Sequence, residues 1–139
     1  MKITVLISSL CIMISCLNSN NYIIIPNKGV GNFIINKSAK NKNVSPSELH
    51  LQFEKGKYLR SIVVFSDKYY TADGIRVGMK LDELVEKCGK PVLSKKIDIV
   101  SGDYVISPLS DVFIYDGIAY VYDRHKIIIA IYIFNDKVK

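Results

Sequence analysis

Leu49-His50-Leu51-Gln52-Phe53-Glu54-Lys55-Gly56-Lys57-Tyr58-Leu59-Arg60-Ser61-Ile62-Val63-Val64-Phe65 is the stretch that decides the fold. Leu49, Leu51 and Phe53 alternate with His50, Gln52 and Glu54, the period of two that belongs to a strand with one face toward a core. Lys55-Gly56 punctuates the run and Tyr58 to Phe65 returns as a second strand, which makes a β-hairpin. Pairing Glu54 with Lys57 places Leu49, Leu51, Phe53, Ile62 and Val64 on one side, with His50, Gln52, Lys57 and Ser61 on the other. Such a sheet is apolar on one face only.

Downstream, Asp73-Gly74 and Ile75-Arg76-Val77-Gly78 lead into a helix. Leu81, Leu84, Val85 and Cys88 fall at i, i+3, i+4 and i+7, Asp82 and Glu83 suit the positive N-terminal end, and Gly89 with Pro91 stops the helix after about two turns. Cys88 on that apolar stripe is expected to be a buried, inert thiol. A second hairpin follows: Phe113-Ile114-Tyr115, the tight-turn pair Asp116-Gly117, and Ile118 to Tyr122, with a last strand from Ile127 to Phe134 beyond Asp123-Arg124-His125-Lys126. Pairing Asp123 with Lys126 puts Ile118, Tyr120, Tyr122, Ile127, Ile129, Ile131 and Ile133 on the inner face. The outer face then holds Ala119, Val121, Ile128, Ala130, Tyr132 and Phe134, so this sheet is apolar on both sides.

The two hairpins superpose at a fixed offset, Leu49 on Ile118, Phe53 on Tyr122, Glu54 on Asp123, Lys57 on Lys126, Leu59 on Ile128, Ile62 on Ile131 and Phe65 on Phe134. A fainter echo sets Gly31 to Ser38 against Asp73 to Lys80. The chain therefore reads as an α+β domain over 29–139: an antiparallel sheet of β-hairpins, one short helix (Leu81 to Cys88) packed on one face, and a degenerate tandem repeat of about 29–68 and 69–139. Ser38 onward, with Pro46 inside it, is a poor helix, so the first unit lacks most of that element.

Ile62 to Pro91 resembles the strand, Thr-x-x-Gly-Ile-x-Val-Gly, helix, Gly-x-Pro pattern of small bacterial envelope proteins with a BamE (SmpA)/β-lactamase-inhibitor-protein-like module, and is most similar to lipoproteins of unknown function built on that plan. The resemblance extends loosely from Val30 to Phe134 and implies a module, sometimes in tandem, that binds other proteins. Lys80 departs from the pattern where Ser or Thr caps the helix, which leaves Glu83 without a capping-box partner.

The N-terminal segment differs from the rest. Lys2 precedes an apolar stretch from Ile3 to Ile14, roughly half of the ~20 residues a helix needs to cross a bilayer and the length of a secretory signal core. Met13-Ile14-Ser15-Cys16 resembles the lipobox of bacterial lipoproteins, so residues 1–15 are expected to be a signal peptide and Cys16 the site of lipid attachment by palmitate-type acyl chains. Eight of nine asparagines fall between Asn18 and Asn43, and residues 16–28 are expected to be a lipid-anchored polar tether, while the apolar runs Tyr22 to Ile25 and Phe33 to Ile35 that interrupt the polar stretch are candidates for short strands. With Cys11 in the signal and Cys16 acylated, Cys88 has no intramolecular disulfide partner.

A 139-residue chain that is 49% hydrophobic and 23% charged is ordinary for one globular domain, and 21 isoleucines with 9 tyrosines and no tryptophan favour strand. The formal charge of +6 includes only three arginines, and the basic residues lack interleaved aromatics, which argues against nucleic acid. His50 has no spaced metal-ligand partner and His125 sits between Arg124 and Lys126, so neither metal nor cofactor is expected. Asp103, Asp111, Asp116 and Asp123 each adjoin a turn signal, and no nucleophile elbow or phosphate loop is present.

The expected function is thus non-enzymatic: a membrane-anchored lipoprotein of the bacterial cell envelope, at the outer membrane facing the periplasm, acting as a protein-binding or assembly-support module without a small-molecule substrate. A periplasmic enzyme inhibitor or immunity protein is the alternative, and a small hydrolase the second. The doubly apolar hairpin supplies the expected protein-binding surface, Val121, Ile128, Tyr132 and Phe134, with the two aromatic residues as anchors.

Overall fold

The computed structural model describes residues 20–39, 47–101 and 104–135; the expected signal peptide, Cys16 and Asp103 lie outside them. A 3-10 turn, Asn20–Tyr22, opens the described chain, followed by β1 (Ile23–Ile25), β2 (Gly29–Val30), β3 (Phe33–Ile34), β4 (Leu49–Glu54), β5 (Tyr58–Val64) and β6 (Tyr70–Thr71). Then come α1 (Leu81–Cys88), β7 (Leu93–Ser101), β8 (Tyr104–Tyr115), β9 (Ile118–Tyr122) and β10 (Ile128–Ile133). The six long strands form one antiparallel sheet in the order β4-β5-β10-β9-β8-β7, and the short ones a second sheet, β3-β2-β1-β6, in which β1 and β6 run parallel. The domain is α+β, and its helix has the bounds that the apolar stripe and Gly89 impose. Gly89 (φ 77°) donates its N–H to the Val85 carbonyl at 2.8 Å, closing the last turn.

The large sheet has two apolar faces with different cover. Leu49, Leu59, Ile62, Val64, Tyr120 and Ile131 lie on the face that α1 covers with Leu81 and Leu84 and the small sheet covers with Ile24 and Val30. Val63, Val112, Ala119, Val121 and Ala130 make a second cluster on the opposite face, overlaid by Phe65, Ile114, Tyr132 and Phe134. The helix and the N-terminal strands pack on the first face and leave this one to the sheet itself. The sheet curls: its edge strands β4 and β7 come into contact, so residues from both edges converge over the second face.

Two expectations need correction. The expected tether over 16–28 includes residues that are already part of the fold, since the 3-10 turn Asn20–Tyr22 and β1 fall within it, with Ile24 1% exposed. The strand propensity of three consecutive isoleucines and a paired neighbour outweigh the polar asparagines around them. The binding surface also changes, since Ile128 belongs to the helix-covered core and Val121 is sealed beneath the second face, both 0% exposed. The cause, for Ile128, is a β-bulge. Ile128 pairs with Tyr122 but Ala130 pairs with Val121, so Ile129 is an extra residue, and every position on the turn side of it changes face. Ile129 itself, expected inside, is exposed.

β7 and the first half of β8 carried no readable signal. Lys95-Lys96 interrupts the apolar pattern of one and Pro108 sits in the other, where Ile97 pairs with Ser110 but Ile99 pairs with Ser107. The proline thus lies in a bulge, which tolerates its missing N–H.

Candidate functional site

The bulge leaves Tyr132 and Phe134 where the sequence places them, on the second face, half-buried, with ring centroids 5.5 Å apart and planes tilted by 31°. They form the floor of a cleft of about 410 Å³ together with Ile114 and Ala119. Polar walls come from both ends of the curled sheet: Glu54, Arg60 and Ser61 from the first hairpin, Lys95 from β7. Small residues keep the cleft open. Ser61, 1% exposed, donates its Oγ–H to Gln52 Oε1 at 2.8 Å, so its hydroxyl hydrogen is taken up by the neighbouring strand.

Arg60 is the extra residue of a second bulge, because Gln52 pairs with Ser61 and Phe53 with Leu59. The bulge aims its guanidinium at the cleft rim, 4.0 Å from Glu54 Oε1. Both side chains are more than half exposed, so this pair contributes little to stability and leaves the guanidinium available for exchange with an incoming carboxylate. An aromatic floor with a charged rim can bind and orient an apolar side chain and exclude water from it.

Of the four expected surface residues, the structure brings Tyr132 and Phe134 together and removes Val121 and Ile128. Arg60, Glu54, Lys95 and Ile114 were missed. The polar outer face of the first hairpin was legible in Gln52 and Ser61, but no local pattern says that it meets the outer face of the second hairpin across a curled sheet.

The remaining candidates do structural work. Asp123 Oδ1 accepts from the His125 and Ile127 backbone N–H groups (2.9 and 3.1 Å) and so builds its turn. Asp111 pairs with Lys96 at 2.8 Å on the surface. His125 lies exposed beside Arg124, and among the described residues no group of His, Cys, Asp and Glu could hold a metal ion. His50 Nε2 is buried on the second face without a hydrogen-bond partner among the described residues. Cys88, expected to be sealed in the core, is instead half-buried, and burial followed by the nearby Asp73 carboxylate pushes its thiol up, away from the reactive thiolate. No helix of the described residues is long and apolar enough to cross a membrane. No protein family, curated protein or solved structure matches the chain.

Proposed function

We propose that this protein is a membrane-anchored envelope lipoprotein, held by acylated Cys16 at the periplasmic face of the outer membrane, whose folded domain is a non-catalytic protein-binding or assembly-support module. The observation that carries the binding part is the cleft in which Tyr132 and Phe134 lie side by side between the Arg60 and Lys95 ends of the curled sheet. Aromatic side chains offer large apolar area with little rotamer entropy to lose, and a basic rim selects an apolar segment flanked by carboxylates. The anchor rests on Met13-Ile14-Ser15-Cys16, and the resemblance of Ile62 to Pro91 to BamE-like modules supports the same plan.

The test places a photo-crosslinking residue at Lys95 of the full chain in its native envelope. A discrete adduct is expected that disappears when Tyr132→Ala and Phe134→Ala are combined, while the melting temperature shows the domain still folded. An adduct that survives both substitutions overturns the cleft as the contact. Cys16→Ala is expected to abolish labelling by a fatty-acid analogue, and unchanged labelling overturns the anchor.

A further inference from the structure

A second pocket lies on the other side of the molecule, about 470 Å³ in volume, between β1, the turn after β6, the end of α1 and the β8–β9 hairpin. Its floor is Ile24, Ile118 and Tyr120, each no more than 3% exposed. Ile25, Pro26 and Val92 line its mouth in exposed positions, with Val92 80% exposed. An apolar mouth above an apolar floor is costly to leave in water. Among the described residues, the charged ones that line it are Asp73 and Asp116, both acidic in a chain whose formal charge is +6. Lys87 donates to the Asp73 backbone carbonyl at 3.1 Å and offsets one of these charges, whereas Asp116 makes no ion pair among the described residues.

We propose that this pocket holds an acyl chain of an amine-headed membrane phospholipid, the hydrocarbon lying between Ile24 and Tyr120 and the ammonium meeting Asp116. The source of the lipid rests on the membrane-anchored reading. Ile23, in the pocket wall, follows Cys16 by seven residues, which fully extended span at most about 25 Å. An anchor at Cys16 therefore keeps the mouth within reach of a bilayer surface at all times. A lining of this volume made mostly of isoleucine with Tyr115 and Tyr120 suits one flexible chain, and a mouth flanked by carboxylates favours an ethanolamine head group over an anionic one.

The chain has no tryptophan, so Val92→Trp gives a single fluorescent reporter at the mouth. Ile129→Trp is the control: it is an exposed apolar position near the Tyr122 end of β10, whereas Ile118 in the pocket pairs with Ile133 at the other end. Full chain is reconstituted into vesicles whose phosphatidylethanolamine or anionic phosphatidylglycerol carries brominated acyl chains. Quenching at Val92→Trp is expected to be at least twofold that at Ile129→Trp, stronger with the ethanolamine lipid, and to lose that preference with Asp116→Asn. Alkylation of Cys88 by iodoacetamide, read on its own peptide by mass spectrometry, is expected to slow severalfold in the ethanolamine vesicles, because Cys88 lines the pocket. Equal quenching at the two positions, or an unchanged Cys88 rate, overturns the acyl-chain site; quenching without head-group preference overturns the amine assignment. Labelled fatty acid on Cys16 is scored in the same samples. Label with no differential quenching removes the pocket and keeps the anchor, and differential quenching without label does the reverse.

Discussion

In the first half of the chain Asn36 donates its N–H to the Leu59 carbonyl (2.7 Å) and Leu59 donates to the Lys37 carbonyl (3.1 Å); in the second half Gly78 donates to Ile128 (2.8 Å) and Ile128 to Met79 (2.9 Å). The turns before these contacts also correspond, Lys37 to Ile34 (3.2 Å) and Met79 to Arg76 (3.3 Å), with left-handed backbone at Asn36 (φ 72°) and Gly78 (φ 96°). Isolated bridges repeat likewise, Ser38 with Tyr58 and Lys80 with Ile127. Even the bulges coincide, since Arg60 and Ile129 are equivalent residues of the two hairpins. The second copy continues into α1 directly after Lys80, whereas the sequence after Ser38, with Pro46 inside it, is a poor helix. The unit seen in both copies is therefore a turn clamped onto a bulged hairpin. The side chain at the bulge is where the copies diverge in use, Arg60 toward a cleft and Ile129 toward solvent.

That equivalence can be broken by deleting the bulge residue in each copy. Deleting Ile129 turns Ile128, 0% exposed, toward the opposite face and severs both bonds to Gly78 and Met79, from which α1 starts. The expected loss exceeds about 4 kcal/mol, enough to unfold a marginal domain. Deleting Arg60 displaces Leu59 in the same way but leaves the Gly78 and Met79 bonds ahead of α1 intact, so circular dichroism is expected to show a folded protein with a lower melting temperature. Equal outcomes would mean that α1 adds nothing to the second unit. A smaller probe truncates the clamped core residues themselves. Leu59→Ala and Ile128→Ala, both fully buried, are each expected to cost about 2–5 kcal/mol in urea unfolding, through one cooperative transition. Two separate transitions would show that the copies fold as independent units.

The smallest expected effect concerns what the helix lacks. Lys80 is its N-cap, with extended backbone (φ −73°, ψ 144°) and no side-chain cap bond, although Leu81 N–H finds the Lys126 carbonyl at 2.8 Å. Lys80→Ser supplies an acceptor for the next free N–H groups and a partner for Glu83, with an expected gain of about 1 kcal/mol. A melting temperature that does not rise would place the first turn's stability in the contact with the second hairpin rather than in its cap.

Much was legible because it is local. The helix from Leu81 to Cys88 is written in an apolar spacing and a terminating Gly89, each read within a few residues. The first hairpin is written in its alternation and in Lys55-Gly56, which adopt the left-handed backbone (φ 53° and 67°) that a tight hairpin turn requires. The bulge-matched repeat was visible in outline, since Leu59 and Ile128 already align when the two hairpin sequences are laid over each other. Of the small sheet, β1 and β3 fall on the two short apolar runs, but the pairing through Gly29–Val30 and Tyr70–Thr71 was not legible, because strands of two residues are too short to carry a period.

By itself, then, the sequence determined an α+β chain of paired hairpins, one helix of eight residues and an aromatic pair at Tyr132 and Phe134. Only the tertiary structure decided which face each residue meets. A strand's side chains alternate with a period of two, so one inserted residue at Ile129 moves Ile128 from one face to the other, and nothing in the local pattern marks the insertion. The cleft was decided the same way. Lys95 and Arg60 stand toward opposite edges of a six-stranded sheet, and their meeting is set by how far that sheet twists and curls, a property of all its strands together.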